Sequence, residues 1–202
     1  MKNKGTIWII TGLLLITAAL CLTLYNVYED IKASQTAGEI MDELFPEVTE
    51  NRDETHITST IVPEADGSVP EMPVKVIDGN EYIAIISIPS LDIELPVHST
   101  WDYTKLQSAP CRYYGSVYTN DFVICAHNYR SHFGPIRRLS IGDSVTVIDM
   151  DGNVFNYSVV EVETLYPSTD EMLNDDDDWD LTLFTCTLGG ATRVTVRCVR
   201  TD

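Results

Sequence analysis

Residues 182–186 read Thr-Leu-Phe-Thr-Cys and are followed by Thr-Leu-Gly-Gly at 187–190. The run from Leu181 to Cys186 is rich in the apolar and β-branched residues that favour a half-buried strand, and the glycine pair after it is a loop signal. The pattern predicts a strand that carries the thiol of Cys186 to the edge of a sheet, where a substrate can reach it. A lone cysteine at a strand end is most often a small buried apolar residue, so this stretch alone does not give the thiol a chemical role.

The segment 81–202, which contains this strand, has the sequence features of an all-β domain. Short runs of strand-forming residues alternate with turn signals, there is no long stretch of helical periodicity, and Asp151-Gly152 is a strong hairpin signal. The predicted strands are 82–88, 91–97, 122–126, 144–149, 154–163, 181–186 and 192–199. Seven strands in about 120 residues are enough for a closed barrel or a sandwich. One short helix is predicted over 168–173, with Ser168 or Thr169 as its cap.

The amino-terminal segment predicts a membrane anchor. The run from Ile7 to Tyr25 contains no charged residue, and at helical rise it reaches about 28 Å, close to the thickness of the hydrocarbon core. A cleaved signal peptide is the alternative, but this run is longer than the apolar core of an ordinary signal peptide. Lys2 and Lys4 precede the run and acidic residues follow it, so the positive-inside rule places the amino terminus in the cytoplasm. We therefore predict a single-pass anchor over 1–28, with everything after it outside the cell.

Between the anchor and the β domain lies an acidic segment, residues 29–80. From Glu29 to Glu81 the chain has 14 acidic and three basic residues, with four prolines. This composition predicts a juxtamembrane helix that stops at Pro46, followed by an extended solvated linker that holds the domain away from the membrane. A lid that folds back over a site is the alternative interpretation. The formal net charge of −18 disfavours nucleic acid as a partner, because phosphate binding needs clustered basic residues.

Four cysteines lie outside the predicted span, at positions 111, 125, 186 and 198. An extracellular location permits disulfides, and four cysteines allow three complete pairings. The absence of a C-x-x-C pair disfavours a structural zinc site, although His127 lies only two residues after Cys125. In the strand 192–199, Cys198 shares a face with Val194 and Val196, so it is expected to be buried. Arg193, Thr195 and Arg197 share the other face.

Three side chains of the β domain together suggest acyl transfer. Cys186 ends one predicted strand, His127 ends another, and Arg193 lies on the strand that follows Cys186. A thiol has a reference pKa of about 8.5, and a neighbouring imidazole favours its thiolate and can later protonate a leaving amine. An arginine can orient the substrate carbonyl and stabilise its developing oxyanion. His56 lies in the acidic linker, and His98 lacks a sequence context like that of His127. His132 is therefore the nearby alternative to His127 as the histidine of the site.

With these residues in place, the chain resembles the sortases, a family of membrane-anchored cysteine transpeptidases of Gram-positive bacteria. Residues 182–186 match the family's T-L-x-T-C motif, and His127 follows a strand and precedes Cys186 by 59 residues. Residues 193–196, Arg-Val-Thr-Val, match the arginine motif of the last strand. The Ile-Ser-Ile-Pro of 86–89 and the Leu-Pro-Val of 95–97 extend the match. The resemblance covers roughly 82–199 together with the amino-terminal anchor.

The resemblance implies a closed eight-stranded β-barrel with one or two short helices, in which a cleft holds Cys186, His127 and Arg193 as the catalytic residues. It implies that the thiol attacks the Thr-Gly carbonyl of an L-P-x-T-G-like sorting signal on a secreted protein and forms a thioester. An amine of a peptidoglycan precursor or of a pilin would then resolve that thioester. Thr185 resembles the motif threonine that helps to position substrate. No metal ion or other cofactor is required by this chemistry.

Departures from the family pattern bear on subclass and on calcium. Ala126 stands where many members have glycine, and the linker has no D-P-F or D-P-W motif, which disfavours a lid-bearing pilus polymerase. The loop from Asp175 to Asp178 could hold calcium, as the corresponding loop does in some sortases, but a solvated acidic loop is the favoured interpretation. Two rivals to the sortase interpretation stay open. One is a non-catalytic, envelope-binding β-domain, and the other is a membrane-tethered cysteine peptidase that gives its acyl-enzyme to water.

Overall fold

The computed structural model of the chain describes residues 3–50, 69–167 and 179–202, with the side chains of the first range described over 5–44. The helix predicted over 168–173, the acidic loop from Asp175 to Asp178 and residues 51–68 of the predicted linker lie outside the described residues. Within them the chain forms one long helix, α1 (Asn3–Glu50), and nine strands. The strands are β1 (Lys75–Ile77), β2 (Asn80–Ile88), β3 (Ile93–His98), β4 (Cys111–Tyr114), β5 (Phe122–Ala126), β6 (Ser144–Asp149), β7 (Val154–Leu165), β8 (Leu181–Cys186) and β9 (Arg193–Arg200).

The sheet closes into a barrel. Its strand order is β1-β2-β3-β4-β5-β8-β9-β7-β6, and β6 pairs back with β2, so that β2 to β9 form a ring of eight strands. β1 extends the ring through a short hairpin with β2. The pairs β3–β4 and β5–β8 are parallel and the others are antiparallel. The prediction of a closed eight-stranded barrel is confirmed.

Strand alternation divides the barrel into an inner and an outer face. Phe122, Ile124 and Ala126 of β5 belong to the main interior cluster, together with Leu183 of β8 and Val196 of β9. The intervening residues of β5 and β8 belong to a separate outer cluster, whose members are Leu106, Cys111, Val123, Cys125 and Phe184. Because side chains alternate along a strand, the outer face of β5 and β8 is the one that leads to Cys186.

The predicted strand bounds match the structure for β5, β6 and β8, whereas β1 and β4 were missed. Residue 91 was wrongly assigned to a strand. Pro89 to Leu91 form a 3₁₀ turn, and Asp92 adopts a left-handed conformation with φ of 54°, so β3 begins only at Ile93. The predicted Asp151-Gly152 turn joins β6 to β7, and Gly152 supplies a φ of 84°.

Helix α1 contains one stretch that is long and apolar enough to cross a membrane. The prediction that the helix ends at Pro46 was wrong, since α1 continues to Glu50. Beyond the apolar stretch, the helix presents a buried stripe to the barrel: Ala33, Ala37, Ile40 and Leu44, at most 8% exposed.

Residues 33–44 fall in the predicted juxtamembrane helix, but the packing of this stripe against the barrel was not predicted. Ile40 and Leu44 pack with Tyr82, Ile85 and Ile148 on the outside of the barrel. Burial of two such aliphatic side chains contributes about 1.5–3 kcal/mol each. The helix that carries the candidate span is therefore continuous with a segment that is docked on the barrel.

Candidate active site

Strand register brings three predicted site residues to one edge of the sheet. In the parallel pair β5–β8, Ala126 lies opposite Thr185, so His127 and Cys186 are the next residues along their two chains. In the antiparallel pair β8–β9, Cys186 lies directly opposite Arg193. Cys186 and Arg193 are thus held by the main-chain pairing of β8 with β9, and His127 directly follows the last paired residue of β5.

These three side chains line one cavity of about 260 Å³ on the outer face of the barrel. Cys125 and Phe184 also line it, and they belong to the outer cluster of β5 and β8. Cys186 is half-buried, whereas Cys125 is buried, so the thiol of Cys186 is the more accessible of the two.

An aromatic wall completes this cavity and was missed in the sequence. Trp101, Tyr103 and Tyr113 line it together with Phe184. The ring of Tyr113 meets that of Phe184 edge to face at 5.1 Å, and Trp101 packs edge to face on Tyr103 at 5.3 Å. The sequence feature that could have indicated this wall is the high density of aromatic residues between 101 and 114. That segment contains the short strand β4, which was not predicted. The wall gives the cavity an apolar side suited to an apolar peptide segment.

The imidazole of His127 is half-buried, and burial lowers its pKa below the ordinary value of 6.5. At neutral pH the neutral imidazole therefore predominates, and a neutral imidazole can accept a proton from a neighbouring thiol. The ring also lies 4.9 Å from the ring of Tyr129 in a tilted arrangement. This contact places an aromatic ring against one side of the imidazole.

The loop after His127 is held by main-chain hydrogen bonds. Phe133 N–H donates to the carbonyl of His127 at 3.2 Å, and Gly134 N–H donates to the carbonyl of Tyr129 at 2.9 Å. A Cβ atom on Gly134 would lie only 2.6 Å from the carbonyl oxygens of Asn128 and Tyr129. Glycine at this position therefore allows the close turn that holds His127 at the end of β5.

Thr185 is buried, at 2% exposed, and its hydroxyl donates to the carbonyl of Ala126 at 2.8 Å. This hydrogen bond ties β8 to β5 at the residues immediately before Cys186 and His127. The hydroxyl therefore fixes the spacing of the two strand ends. The predicted role of Thr185 in substrate binding stays a prediction.

The two arginines of β9 differ in environment. Arg193 lines the cavity, and its guanidinium donates to the carbonyls of Gly190 and Thr192 at 2.9 and 3.1 Å. Arg197 is 4% exposed; it donates to Glu163 at 3.1 Å and lies 5.5 Å from the ring centroid of Trp179. Arg193 is thus placed beside the thiol, whereas Arg197 is embedded in the barrel wall.

Two of the competing histidines, His98 and His132, do not line the cavity. His132 is fully buried and packs on Tyr129, and burial lowers its pKa to about 4. His98 is 1% exposed, its Nε2 lies 3.0 Å from the hydroxyl of Ser108, and burial lowers its pKa to about 4 as well. His56 lies outside the described residues. Among the described histidines, His127 is therefore the one that shares the cavity with Cys186.

All five cysteines are free thiols. Burial raises the pKa of Cys111 to about 11 and that of Cys198 to about 12, and it raises the pKa of Cys125 as well. These three thiols are consequently held in the protonated form. Cys198 is buried among interior side chains, as its strand face predicted. Within the described ranges, no group of histidine, cysteine and acidic side chains is arranged to hold a metal ion.

Comparison with known proteins gives a consistent match. The sequence model of the sortase domain matches residues 86–201. The chain is 25% identical to sortase A of Bacillus anthracis over 189 residues, which covers 91% of this chain and 89% of that protein.

Solved structures have the same fold. The sortase D5 transpeptidase of Clostridium perfringens superposes with a TM-score of 0.55 at 22% identity, covering 63% of this chain and 83% of that one. Sortase C1 of Streptococcus agalactiae has a TM-score of 0.54 at 27% identity, covering 63% and 71%. Sortase A of Corynebacterium diphtheriae has a TM-score of 0.54 at 21% identity, and the match covers 92% of this chain and 96% of that one.

Proposed function

This chain belongs to the sortase family, whose sequence model matches more than half of it, and we propose that it is a transpeptidase with Cys186 as its nucleophile. Its acyl donor would be an L-P-x-T-G-like sorting signal on a secreted protein. Its acyl acceptor would be an amine of a peptidoglycan precursor or of a pilin. One observation carries the proposal: Cys186, His127 and Arg193 line a single cavity beside an aromatic wall.

The reaction begins with a proton transfer. His127, whose pKa is lowered by burial, accepts the proton of the Cys186 thiol, and the thiolate attacks the threonine carbonyl of the sorting signal. Arg193 reorients from the carbonyls of Gly190 and Thr192 to stabilise the oxyanion. The imidazolium of His127 then protonates the leaving amine, and the acyl group stays on sulfur as a thioester.

The acceptor amine completes the cycle. It attacks the thioester carbonyl, the new C–N bond forms as the C–S bond breaks, and the amine proton returns through His127 to the sulfur. The aromatic wall of Trp101, Tyr103 and Tyr113 would hold the apolar Leu-Pro part of the donor. Sortases need no cofactor in general, and each step proposed above uses a side chain of this chain.

The location follows from α1. We propose that residues 1–28 form a cytoplasmic tip and membrane anchor with the amino terminus inside. Residues 29–80 join the anchor to the catalytic domain at 81–202, outside the cell. The positive flank of the apolar run supports this orientation, because Lys2 and Lys4 precede it.

The test uses the full-length chain in neutral detergent with an L-P-x-T-G peptide. Mass spectrometry should find an acyl adduct on Cys186 that is absent from Cys186→Ala. Cys125→Ala removes the other thiol of the same cavity and serves as the matched control, in which the adduct should persist. Absence of any adduct from the wild type would refute the proposal and favour an envelope-binding domain.

A second measurement separates transferase from peptidase. The peptide is incubated with and without an amine acceptor, and amide product and free acid are quantified. Amide that increases with acceptor concentration supports transpeptidation. Free acid released at the same rate in both conditions, with no amide, would favour a membrane-tethered peptidase.

A further inference from the structure

Cys186 lines a second cavity, on the side of the strand end away from the aromatic wall. This cavity measures about 570 Å³ and is also lined by Thr187 and by three arginines of the segment that follows His127. The arginines are Arg130, Arg137 and Arg138, and we call this space the arginine cavity. Cys186 therefore lines both this space and the first cavity, which we call the aromatic cavity after its aromatic wall.

The charge of the arginine cavity is opposite to that of the protein. The chain has 31 acidic and 13 basic residues, and eight of the basic ones lie in 81–202. Three of those eight line this one space, and among the residues that the structure describes no acidic side chain lines it. Concentration of positive charge in a concave site raises the local concentration of anions.

The three arginines are also available to a ligand. Arg112, Arg197 and Arg200 each form an ion pair with a carboxylate. By contrast, the arginines of the cavity are exposed, and over the described ranges none of them forms an ion pair or a side-chain hydrogen bond. Arginines that served only stability would be expected to contact acids, which are abundant in this chain.

We propose that the arginine cavity binds the acyl acceptor and that this acceptor is an amine that carries carboxylate groups. The inference rests on the proposed function, because it assigns the second substrate of the same thiol. The aromatic cavity takes the apolar acyl donor, and the arginine cavity takes the anionic acceptor from the other side of Cys186. Guanidinium groups suit this ligand because they bind carboxylates through paired hydrogen bonds.

The chemical step fits this arrangement. The acceptor nitrogen attacks the thioester carbon, the C–N bond forms, the C–S bond breaks, and the electron pair of that bond stays on the Cys186 sulfur. The amine loses one proton, which returns to the sulfur through His127. The carboxylate keeps its charge throughout, so the arginines serve only to bind and orient the acceptor.

Two small amines test the proposal. Nα-acetyl-lysine and Nα-acetyl-lysinamide have the same ε-amine and differ only in one negative charge. With full-length chain in neutral detergent and an L-P-x-T-G peptide as donor, kcat/KM is measured for each acceptor. We expect the charged acceptor to be preferred by about 3- to 10-fold at low salt, with the preference falling as salt is added.

Variants assign the preference to the cavity. R137Q/R138Q should bring the ratio of the two kcat/KM values close to one, and R137E/R138E should invert it. Lys32→Gln removes one positive charge from an exposed position on α1 and should keep the wild-type ratio. Equal use of both acceptors by the wild type would overturn the inference, as would a preference that survives in R137E/R138E.

Two further outcomes are distinguishable. Formation of the Cys186 thioester is measured separately, so a chain that forms it but treats the two acceptors alike keeps the proposed function and loses the inference. Failure to form the thioester removes both. If the arginine variants change only the dependence of the rate on anionic lipid in nanodiscs, the arginines contact headgroups and the assignment to an acceptor is wrong.

Discussion

Asp30 of α1 binds Ser131, four residues after His127. One carboxylate oxygen of Asp30 accepts hydrogen bonds from the main-chain N–H of Ser131 at 3.0 Å and from its hydroxyl at 2.7 Å. Asp30 lies five residues after Tyr25, the last residue of the apolar run, which corresponds to a rise of about 7.5 Å along the helix. The loop that positions His127 is therefore attached to the helix close to where that helix would leave a membrane.

The first prediction concerns this attachment. Asp30→Ala leaves the N–H and hydroxyl of Ser131 without their carboxylate, which should loosen the loop and lower kcat by about 3- to 10-fold. Asp42→Ala removes an exposed carboxylate from the same helix and should leave kcat unchanged. Rates are measured with a sorting-signal peptide in detergent. Equal rates for both variants would show that the contact does not position His127.

The second prediction separates the two arginines of β9. Arg193→Ala should lower turnover by about 10²- to 10³-fold without a change in melting temperature, because its guanidinium lies beside the thiol and, among the described residues, donates to the carbonyls of Gly190 and Thr192. Arg197→Ala should lower the free energy of unfolding by about 3 kcal/mol, because it leaves Glu163 without its ion-pair partner. Arg197→Ala should lower turnover per folded molecule less than Arg193→Ala does.

The measurements are single-turnover acylation and thermal unfolding of each variant. A larger loss of acylation in folded Arg197→Ala than in Arg193→Ala would reverse the assignment.

The cavity that Cys186 shares with His127 and Arg193 shows why these three residues could be predicted from the sequence and the aromatic wall could not. Cys186 ends β8, Arg193 begins β9 and His127 directly follows β5. The residues of these strands are strongly β-forming, so both the type and the position of the strands could be inferred. The aromatic wall depends on β4, a four-residue strand with exposed tyrosines that pairs with β3 through a single residue pair. Such a short strand has no alternation from which to predict it.

The docking of α1 was not predictable for a different reason. Ala33, Ala37, Ile40 and Leu44 are spaced for one helical face, but two of them are alanines and acidic residues surround them. The segment therefore has too little apolar character to indicate burial by itself. The complementary surface is formed by Tyr82, Ile85 and Ile148, from strands distant in sequence, and becomes apparent only once the barrel is closed.

The third prediction tests the hydroxyl of Thr185. Thr185→Val keeps the β-branched shape but removes the donor to the Ala126 carbonyl, so that the carbonyl of a buried strand loses its side-chain partner. We expect stability to fall by about 1 kcal/mol and kcat to fall more than KM changes, because Cys186 and His127 lose their fixed spacing. Thr185→Ser keeps the hydroxyl and should restore most of kcat.

A positioning role and a substrate-binding role of Thr185 have different effects on kcat and KM. If Thr185→Val raised KM for the peptide at unchanged kcat, the hydroxyl would contact substrate directly instead of setting the strand spacing.

The fourth prediction concerns acid stability and rests on His132. In the folded chain burial lowers its pKa to about 4, whereas an unfolded histidine has a pKa near 6.5. Between these values the unfolded chain binds a proton that the folded chain does not, so the free energy of unfolding falls as pH decreases from 6.5 towards 4. The loss attributable to this one group is about 3 kcal/mol over that window. His98 has the same shift and adds to the loss.

His132→Phe isolates the contribution of the buried imidazole, because phenylalanine keeps the ring that packs on Tyr129 and cannot be protonated. The variant should lose less stability than the wild type between pH 6.5 and pH 4.5, while the two should differ less at pH 7.5. Melting temperatures of the full-length chain in neutral detergent provide the comparison. His98→Phe should reduce the same acid-dependent loss independently, since the Nε2 of His98 contacts Ser108 in a different part of the barrel. Parallel pH profiles for wild type and His132→Phe would show that the pKa of His132 in the folded chain is close to its ordinary value.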